Sequence, residues 1–335
     1  MKKFAFVRAD KIGDLLLNLP VDQIPELKGS DITWIINNKT ESLFKLCLPV
    51  RRYFSIDLEK PKDSFWKLFH FFKAEKFDGL LQFYGVWWIS LAALMAGIST
   101  RFGRYSQWSS FFFFNKGIRQ KRSLSEKHEL EYNLEMLSVF LDLPKPRRVE
   151  IFKDVRAKIN TQHFFADTGI SEALKHKMGQ LKLTEVGYYV VHAGMFGSAL
   201  NWPQKKYIEL IEILKFKHPV ILTGTAIDEP YLDQIITHFK NDPLVISLVN
   251  QLSFSELITI LRSAKACVAP STGVMHIAAL LQVPTYSLFS PVRSHLARRW
   301  GPLSLNSMVF APEMDAQDCM SQISAPVVAA EIIKL

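Results

Sequence analysis

The stretch ACVAPSTGVMHIAALLQVPTYSLFS, residues 266–290, decides the fold class. An apolar run (ACVAPS, 266–271) ends in the small polar turn Ser271-Thr272-Gly273. An apolar helical segment follows with His276 in its first turn, and Pro284 opens a second apolar run, PTYSLFS. Runs that are apolar at consecutive positions suit strands buried on both faces of a parallel sheet. Strand, polar turn, helix and strand in that order form a βαβ unit.

Working outward, the same alternation fills the chain. KFAFVRA (3–9), DITWIIN (31–37), RYFSID (52–57) and DGLLQF (78–83) read as strands in the first half. GYYVVHAG (187–194), PVILTG (219–224) and PLVISL (243–248) join the two strands above in the second. Between them, Tyr207, Leu210, Ile211 and Leu214 repeat at i, i+3, i+4 and i+7, one apolar helix face. Ser253 with Glu256 three residues on forms a capping-box pattern before Leu257, Ile260 and Leu261. The expected class is α/β: two Rossmann-like, doubly wound parallel-sheet domains facing across a cleft. The Pro- and Arg-containing segment 141–154 is the boundary candidate, giving domains 1–160 and 161–322, with a C-terminal helix over 323–335.

In such folds ligands sit outside the carboxyl ends of the strands, and the polar motifs fall there. In VRADKIGDLLLNLP (7–20), Gly13 permits a turn and Asp14 opens the helical run. Asp14 is either a helix cap or a carboxylate held for chemistry; sequence physics alone favours the cap. In VVHAGMFGSALNWP (190–203), Gly194 and Gly197 let backbone approach a ligand and Ser198 offers a hydroxyl. In TGTAIDEP (223–230), Thr223 and Gly224 end a strand, and Glu229 is either a sugar-hydroxyl acceptor or part of a solvated turn. The helix start at Thr272 and Gly273 is an anion-binding candidate with His276 as a further donor, or an ordinary capped helix.

Composition narrows the classes. Three dispersed cysteines (Cys47, Cys267, Cys319) and no Cys/His cluster point away from zinc modules and disulfide frameworks, and HELEY (128–132) is not a zinc motif. No GxGxxG or P-loop pattern occurs, which disfavours a dinucleotide oxidoreductase. The uncharged run at 86–98 is shorter than a membrane-spanning helix, and charges interrupt the N-terminal apolar run, so a cytoplasmic location is expected. A net charge of +9 favours anionic partners, yet no nucleic-acid module is present, so none is expected to bind.

Taken together, VRADKIGDLLLNLP, HAGMFGSALNWP, ILTGTAIDE and the segment 253–291 resemble glycosyltransferase family 9, which includes the ADP-heptose:lipopolysaccharide heptosyltransferases. The resemblance spans nearly the whole chain, and the STGxxH segment with its preceding SxxEL helix is its most specific part. It implies a GT-B fold, a C-terminal helix (323–335) that packs back on the first domain, and an inverting transfer without metal or cofactor, the nucleotide sugar (ADP-heptose by family default) being a co-substrate. Asp14 is the implied general base. Donor contacts are implied at Gly194, Ser198, Thr223, Gly224, Glu229, Ser271, Thr272, Gly273, Met275 and His276. Two positions depart from the family: Leu200 where many members have lysine, and Ser271 where many have an acidic residue. They bear on which sugar is carried. The alternatives are another nucleotide sugar and acceptor, or a non-catalytic, membrane-associated nucleotide-binding protein.

On the acceptor side, basic residues surround four phenylalanines at 111–114. Arg8, Lys11, Arg101, Arg104, Arg119 and Arg122 are the candidates for gripping an acidic, lipid-linked glycan acceptor. The same segment reads equally as a contact with the anionic inner face of the cytoplasmic membrane, or as a buried aromatic strand between solvated basic turns.

Overall fold

The computed structural model describes residues 1–106, 108–180, 183, 187–195, 200–313 and 318–334, with backbone alone at 108, 109, 173, 177 and 180. The chain divides into two compact units, Met1–Thr161 and Gln162–Leu335. The segment 141–154, read as a boundary, belongs largely to the helix Lys145–Ile159 of the first unit. Pro144 is that helix's N-terminal flank, so the proline marks a helix start.

The first unit holds one sheet of β1 (Lys3–Val7), β2 (Asp31–Asn37), β3 (Arg52–Ile56), β4 (Gly79–Gln82), β5 (Thr100–Arg104) and β6 (Lys116–Ile118). Their order is β3-β2-β1-β4-β5-β6, with every neighbouring pair parallel. The second unit repeats the plan with β7 (Tyr189–His192), β8 (Val220–Thr223), β9 (Val245–Ser247), β10 (Ala266–Pro270), β11 (Thr285–Leu288) and β12 (Ser307–Phe310). The order there is β12-β11-β10-β7-β8-β9, again all parallel. Both are the doubly wound order, in which the first strand of the unit lies between its second and its fourth. The strand order reverses between β1 and β4, and again between β7 and β10. In doubly wound sheets ligands bind outside the strands' carboxyl ends at such a reversal.

The central strands form where the sequence is apolar on both faces. β1, β4, β7, β8 and β10 are buried at nearly every residue. Under the first sheet, Phe6 meets Trp34 edge-on at 5.6 Å, and Trp34 stacks with Phe83 at 6.3 Å. In the second unit the helix Gln204–Leu214 buries Tyr207, Leu210, Ile211 and Leu214 completely. Each such burial contributes about 1.5–3 kcal/mol for an aliphatic side chain. The capping box forms, with Ser253 N donating to Glu256 Oε2 at 3.0 Å and Glu256 N donating to Ser253 Oγ at 3.3 Å.

The C-terminal helix is Ala325–Ile333, and Ala325, Val328, Ala329 and Ile332 lie in the second unit's own core. Trp202 Nε1 donates to Ile323 O at 3.1 Å, tying its approach to the start of the helix Gln204–Leu214. The four phenylalanines at 111–114 are not a buried strand. The first three close the helix Trp108–Phe113, which connects β5 to the edge strand β6. No helix among the described residues is long and apolar enough to cross a membrane.

Candidate active site

At the first reversal, β1 delivers Arg8 directly beyond its last residue. The Arg8 side chain is only 3% exposed and is surrounded by three carboxylates. Arg8 Nε donates to Asp10 Oδ1 at 2.8 Å, Nη2 to Asp14, and Nη1 reaches Glu129 Oε1 at 3.4 Å. Glu129 opens the helix Glu129–Phe140 and is fully buried, where it also accepts from Arg122 Nη1. Arg122 is held in turn by Gln120 Oε1 (3.0 Å from Nε) and Asn133 Oδ1 (3.1 Å from Nη2). Two guanidinium groups therefore face three carboxyls, one acid more than the cations balance. A buried charge without a partner is expensive, so the surplus is relieved by holding a proton.

Asp10 is where that proton is favoured. Burial pushes its carboxyl up to about 7; the Arg8 guanidinium pulls the other way, and the charge of Asp14 adds to the rise. Burial works against the Arg8 cation too, but its three carboxylate neighbours outweigh this and hold it ionised. The Tyr84 phenol, just past β4, is shifted upward by burial and by Asp10 and Asp14. Asp14 itself stands in the first turn of the helix Ile12–Asn18 with its side chain 18% exposed. The cap position is Lys11, whose side chain makes no cap bond, so the helix-cap reading of Asp14 is corrected: its carboxylate is engaged with Arg8.

The second reversal collects the other motifs. At the end of β7, His192 is buried, with Nδ1 3.1 Å from the Thr223 hydroxyl. Burial pushes its imidazole below the ordinary value, while the charge of Asp228 opposes the shift. Gly194 follows, and a Cβ there would stand 2.2 Å from Asp228 Cγ, so the backbone can pass only as glycine. Asp228 is buried and closes a box with Thr225 N (3.0 Å) and Oγ1 (2.8 Å), whereas the neighbouring Glu229 is exposed. A Cβ on Gly224 would lie 2.6 Å from Leu232 Cδ1. Beyond β10, Ser271, Thr272 and Gly273 are half-exposed at the start of the helix Gly273–Leu280, and His276 is buried in its first turn. Thr272 caps nothing with its side chain, and its buried Oγ1 has no hydrogen-bond partner among the described residues. The free N–H groups of that turn and this hydroxyl point to an anion. Ser198 and Gly197 lie outside the described residues.

Several expectations change. Met275 is fully buried, so its side chain packs beneath the turn and offers a donor no surface. Arg8 and Arg122 are not acceptor contacts: both are buried and bound to Glu129. Arg101 is spent on the backbone, its Nε donating to Phe113 O at 2.8 Å and Nη1 to Ile98 O at 2.5 Å. Arg104 lines a small crevice with Gln82, Trp87 and Ser90, and Lys11 and Arg119 are exposed. Asp10, Glu129, His192 and Asp228 were not singled out from sequence. Asp10, His192 and Asp228 each sit inside a motif quoted for its strand-end position, and Glu129 inside HELEY, the available signal.

Two Rossmann-like units, one bearing a carboxylate cluster and the other a polar helix start at their strand reversals, define the GT-B class. The model of glycosyltransferase family 9 (heptosyltransferase) matches residues 65–326, and the chain belongs to that family. It is a glycosyltransferase. A Haemophilus influenzae protein provisionally described as a glycosyltransferase is 28% identical over 320 residues, covering 91% of this chain and 87% of its own. The lipopolysaccharide heptosyltransferase 2 of Salmonella typhimurium is 28% identical over 113 residues, 31% of this chain and 32% of that protein. Among solved structures, E. coli ADP-heptose heptosyltransferase II is 17% identical, with a TM-score of 0.73 over 100% of this chain and 98% of that one. A family 9 protein from Veillonella parvula gives 0.77 at 15% identity over the same shares. At those identities the likeness is one of fold.

Proposed function

We propose that the protein transfers a sugar from a nucleoside-diphosphate donor to a lipopolysaccharide-core-type acceptor, with inversion and Asp14 as general base. The acceptor hydroxyl attacks the anomeric carbon from the face opposite the diphosphate. Its proton passes to Asp14, and the breaking carbon–oxygen bond leaves its electron pair on the diphosphate. Base catalysis of this kind is worth about 10²–10⁴-fold. The observation that carries the reading is the clamp on Asp14: Arg8, buried by β1, fixes one carboxylate oxygen, and the side chain stays partly exposed.

On the donor side, the open start of the helix Gly273–Leu280 and Thr272 Oγ1 serve the diphosphate. In this reading they stabilise the leaving charge in place of a metal, and no cofactor takes part. ADP-heptose is the first donor to test: an E. coli heptosyltransferase of the same fold has been solved with ADP and with ADP-2-deoxy-2-fluoro heptose. A second reading, another nucleotide sugar, is favoured by Leu200 and Ser271, which depart from the lysine and acid common in the family. The acceptor is lipid-linked, and the enzyme works from the cytoplasm at the inner face of the membrane.

The test is calorimetry of ADP, UDP and GDP, then of their sugar conjugates. Selective binding of ADP and ADP-heptose supports the heptosyl reading, and selectivity for UDP or GDP replaces the sugar. Binding of none would count against catalysis at this site.

A further inference from the structure

The helix Trp87–Met95 contains no charged residue, and Trp87, Leu91, Leu94 and Met95 fall on one face at i, i+4, i+7 and i+8. The opposite face, with Ile89, Ala92 and Ala93, is fully buried in the core of the first unit. The first face is not covered: Trp87 is 52% exposed, Leu94 37% and Met95 50%. Beside it, the helix Trp108–Phe113 exposes Phe111 (59%) and Phe112 (70%). Phe113 stacks on Trp87 with ring centres 6.5 Å apart, joining the two helices into one apolar surface. Only Phe114 turns inward, where its ring lies 2.2 Å from the place a Cβ on Gly103 would take. Contiguous exposed aromatic and aliphatic side chains of this kind mark a docking surface.

Charge selects the occupant. From residue 79 to residue 125 the sequence has no aspartate or glutamate, yet it carries Arg101, Arg104, Lys116, Arg119, Lys121 and Arg122. Arg122 is consumed by Glu129 inside the fold and Lys116 pairs with Asp142 at 3.2 Å, while Arg119 and Lys121 are exposed just after the phenylalanines. A second copy meeting this face about a two-fold axis would set the same cations against each other. An anionic lipid layer accepts both features, the apolar side chains at its acyl boundary and the cations at its headgroups.

We propose that Trp87, Leu94, Met95, Phe111 and Phe112 form a docking face that seats the first unit on an anionic membrane surface, with Arg119 and Lys121 on the lipid phosphates. This rests on the proposed function only in that a lipid-linked acceptor would be met there.

The test is co-sedimentation of the full chain with vesicles of phosphatidylcholine alone and of phosphatidylcholine with phosphatidylglycerol. Binding is expected only to the anionic vesicles and weakens with salt. The doubly exposed variant Phe111→Ser/Phe112→Ser lowers the partition coefficient by about tenfold or more. Arg119→Gln/Lys121→Gln lowers it by about fivefold for each cation removed. Equal binding to both vesicle types, binding that neither variant changes, or no binding at all overturns the proposal. So does a dimer, seen by sedimentation equilibrium, that Phe111→Ser/Phe112→Ser dissolves, since the face would then be a contact between copies. Nucleotide calorimetry on the same variants separates the two readings. Vesicle binding without nucleotide binding leaves the docking face standing and removes the proposed donor site; the reverse result does the opposite.

Discussion

Replacing Arg8 by methionine keeps a long side chain beside β1 and removes the cation from among three carboxylates. Arg8 is 3% exposed, Glu129 1%, Asp10 13% and Asp14 18%, so solvent screens these contacts poorly. With the guanidinium gone, Glu129 keeps Arg122, but Asp10 and Asp14 face each other without a counter-charge. Removing one partner of a buried pair costs about 3–5 kcal/mol, because the other charge stays behind uncompensated. Proton uptake sets the pH dependence. Asp10 already binds its proton more tightly in the folded protein than in the unfolded chain, where a carboxyl titrates near its ordinary value of 3.8. Between that value and about 7 the folded state therefore holds more protons, and this contribution to stability is present at acid pH and lost as pH rises through about 7. In Arg8→Met the opposing pull of the guanidinium is gone, so the window extends further upward. The loss should be close to the full figure near pH 8 and smaller near pH 5. Urea titrations at both pH values, read by hydrogen exchange in β1 and the helix Ile12–Asn18, report on this unit alone. A loss that grows on acidification, or no loss at either pH, would refute the electrostatic account of the cluster.

Two further substitutions separate ligand binding from packing in the second unit. Thr272→Val removes a buried hydroxyl that has no partner among the described residues, so it should leave the unfolding midpoint unchanged or slightly raised. The same change should weaken nucleotide binding by calorimetry, roughly tenfold for one lost hydrogen bond to a charged group. Met275→Ala empties a fully buried site and should cost about 2–5 kcal/mol of stability in denaturant titrations. The nucleotide affinity of whatever remains folded should stay within about twofold, since that side chain lies under the turn.

The parts of this fold that the sequence makes legible are those whose cause is local. Apolar runs buried on both faces give β1, β4, β7, β8 and β10, and the period of Tyr207, Leu210, Ile211 and Leu214 gives their helix. Three strands escaped: β5 (TRFGR) and the edge strands β6 (KGI) and β12 (SMVF) are short and at most half buried, so their pairing leaves little hydrophobic trace. The site is legible in the same uneven way. Each strand-end motif is visible as small and polar residues, and the topology puts them at the two reversals. Which members bind and which pack depends on burial. Arg122 looked like part of a basic loop because its partner Glu129 enters the core only once the helix Glu129–Phe140 docks. The pairing of Arg8 with Glu129 joins residues 121 apart in sequence, and no local pattern announces it. Asp10 stands beside Asp14 in the same motif, yet its proton affinity comes from the fold around it.

The most direct test compares wild-type protein with Asp14→Asn, using the nucleotide sugar that binds wild type most tightly. Donor affinity by calorimetry and turnover with a lipopolysaccharide-core acceptor are measured on the same preparations. The account predicts donor affinity within about twofold and turnover lower by about 10²–10⁴-fold, the worth of a general base. Turnover that survives the substitution with folding and donor binding intact would contradict it, because the proton would then be leaving through a group other than Asp14.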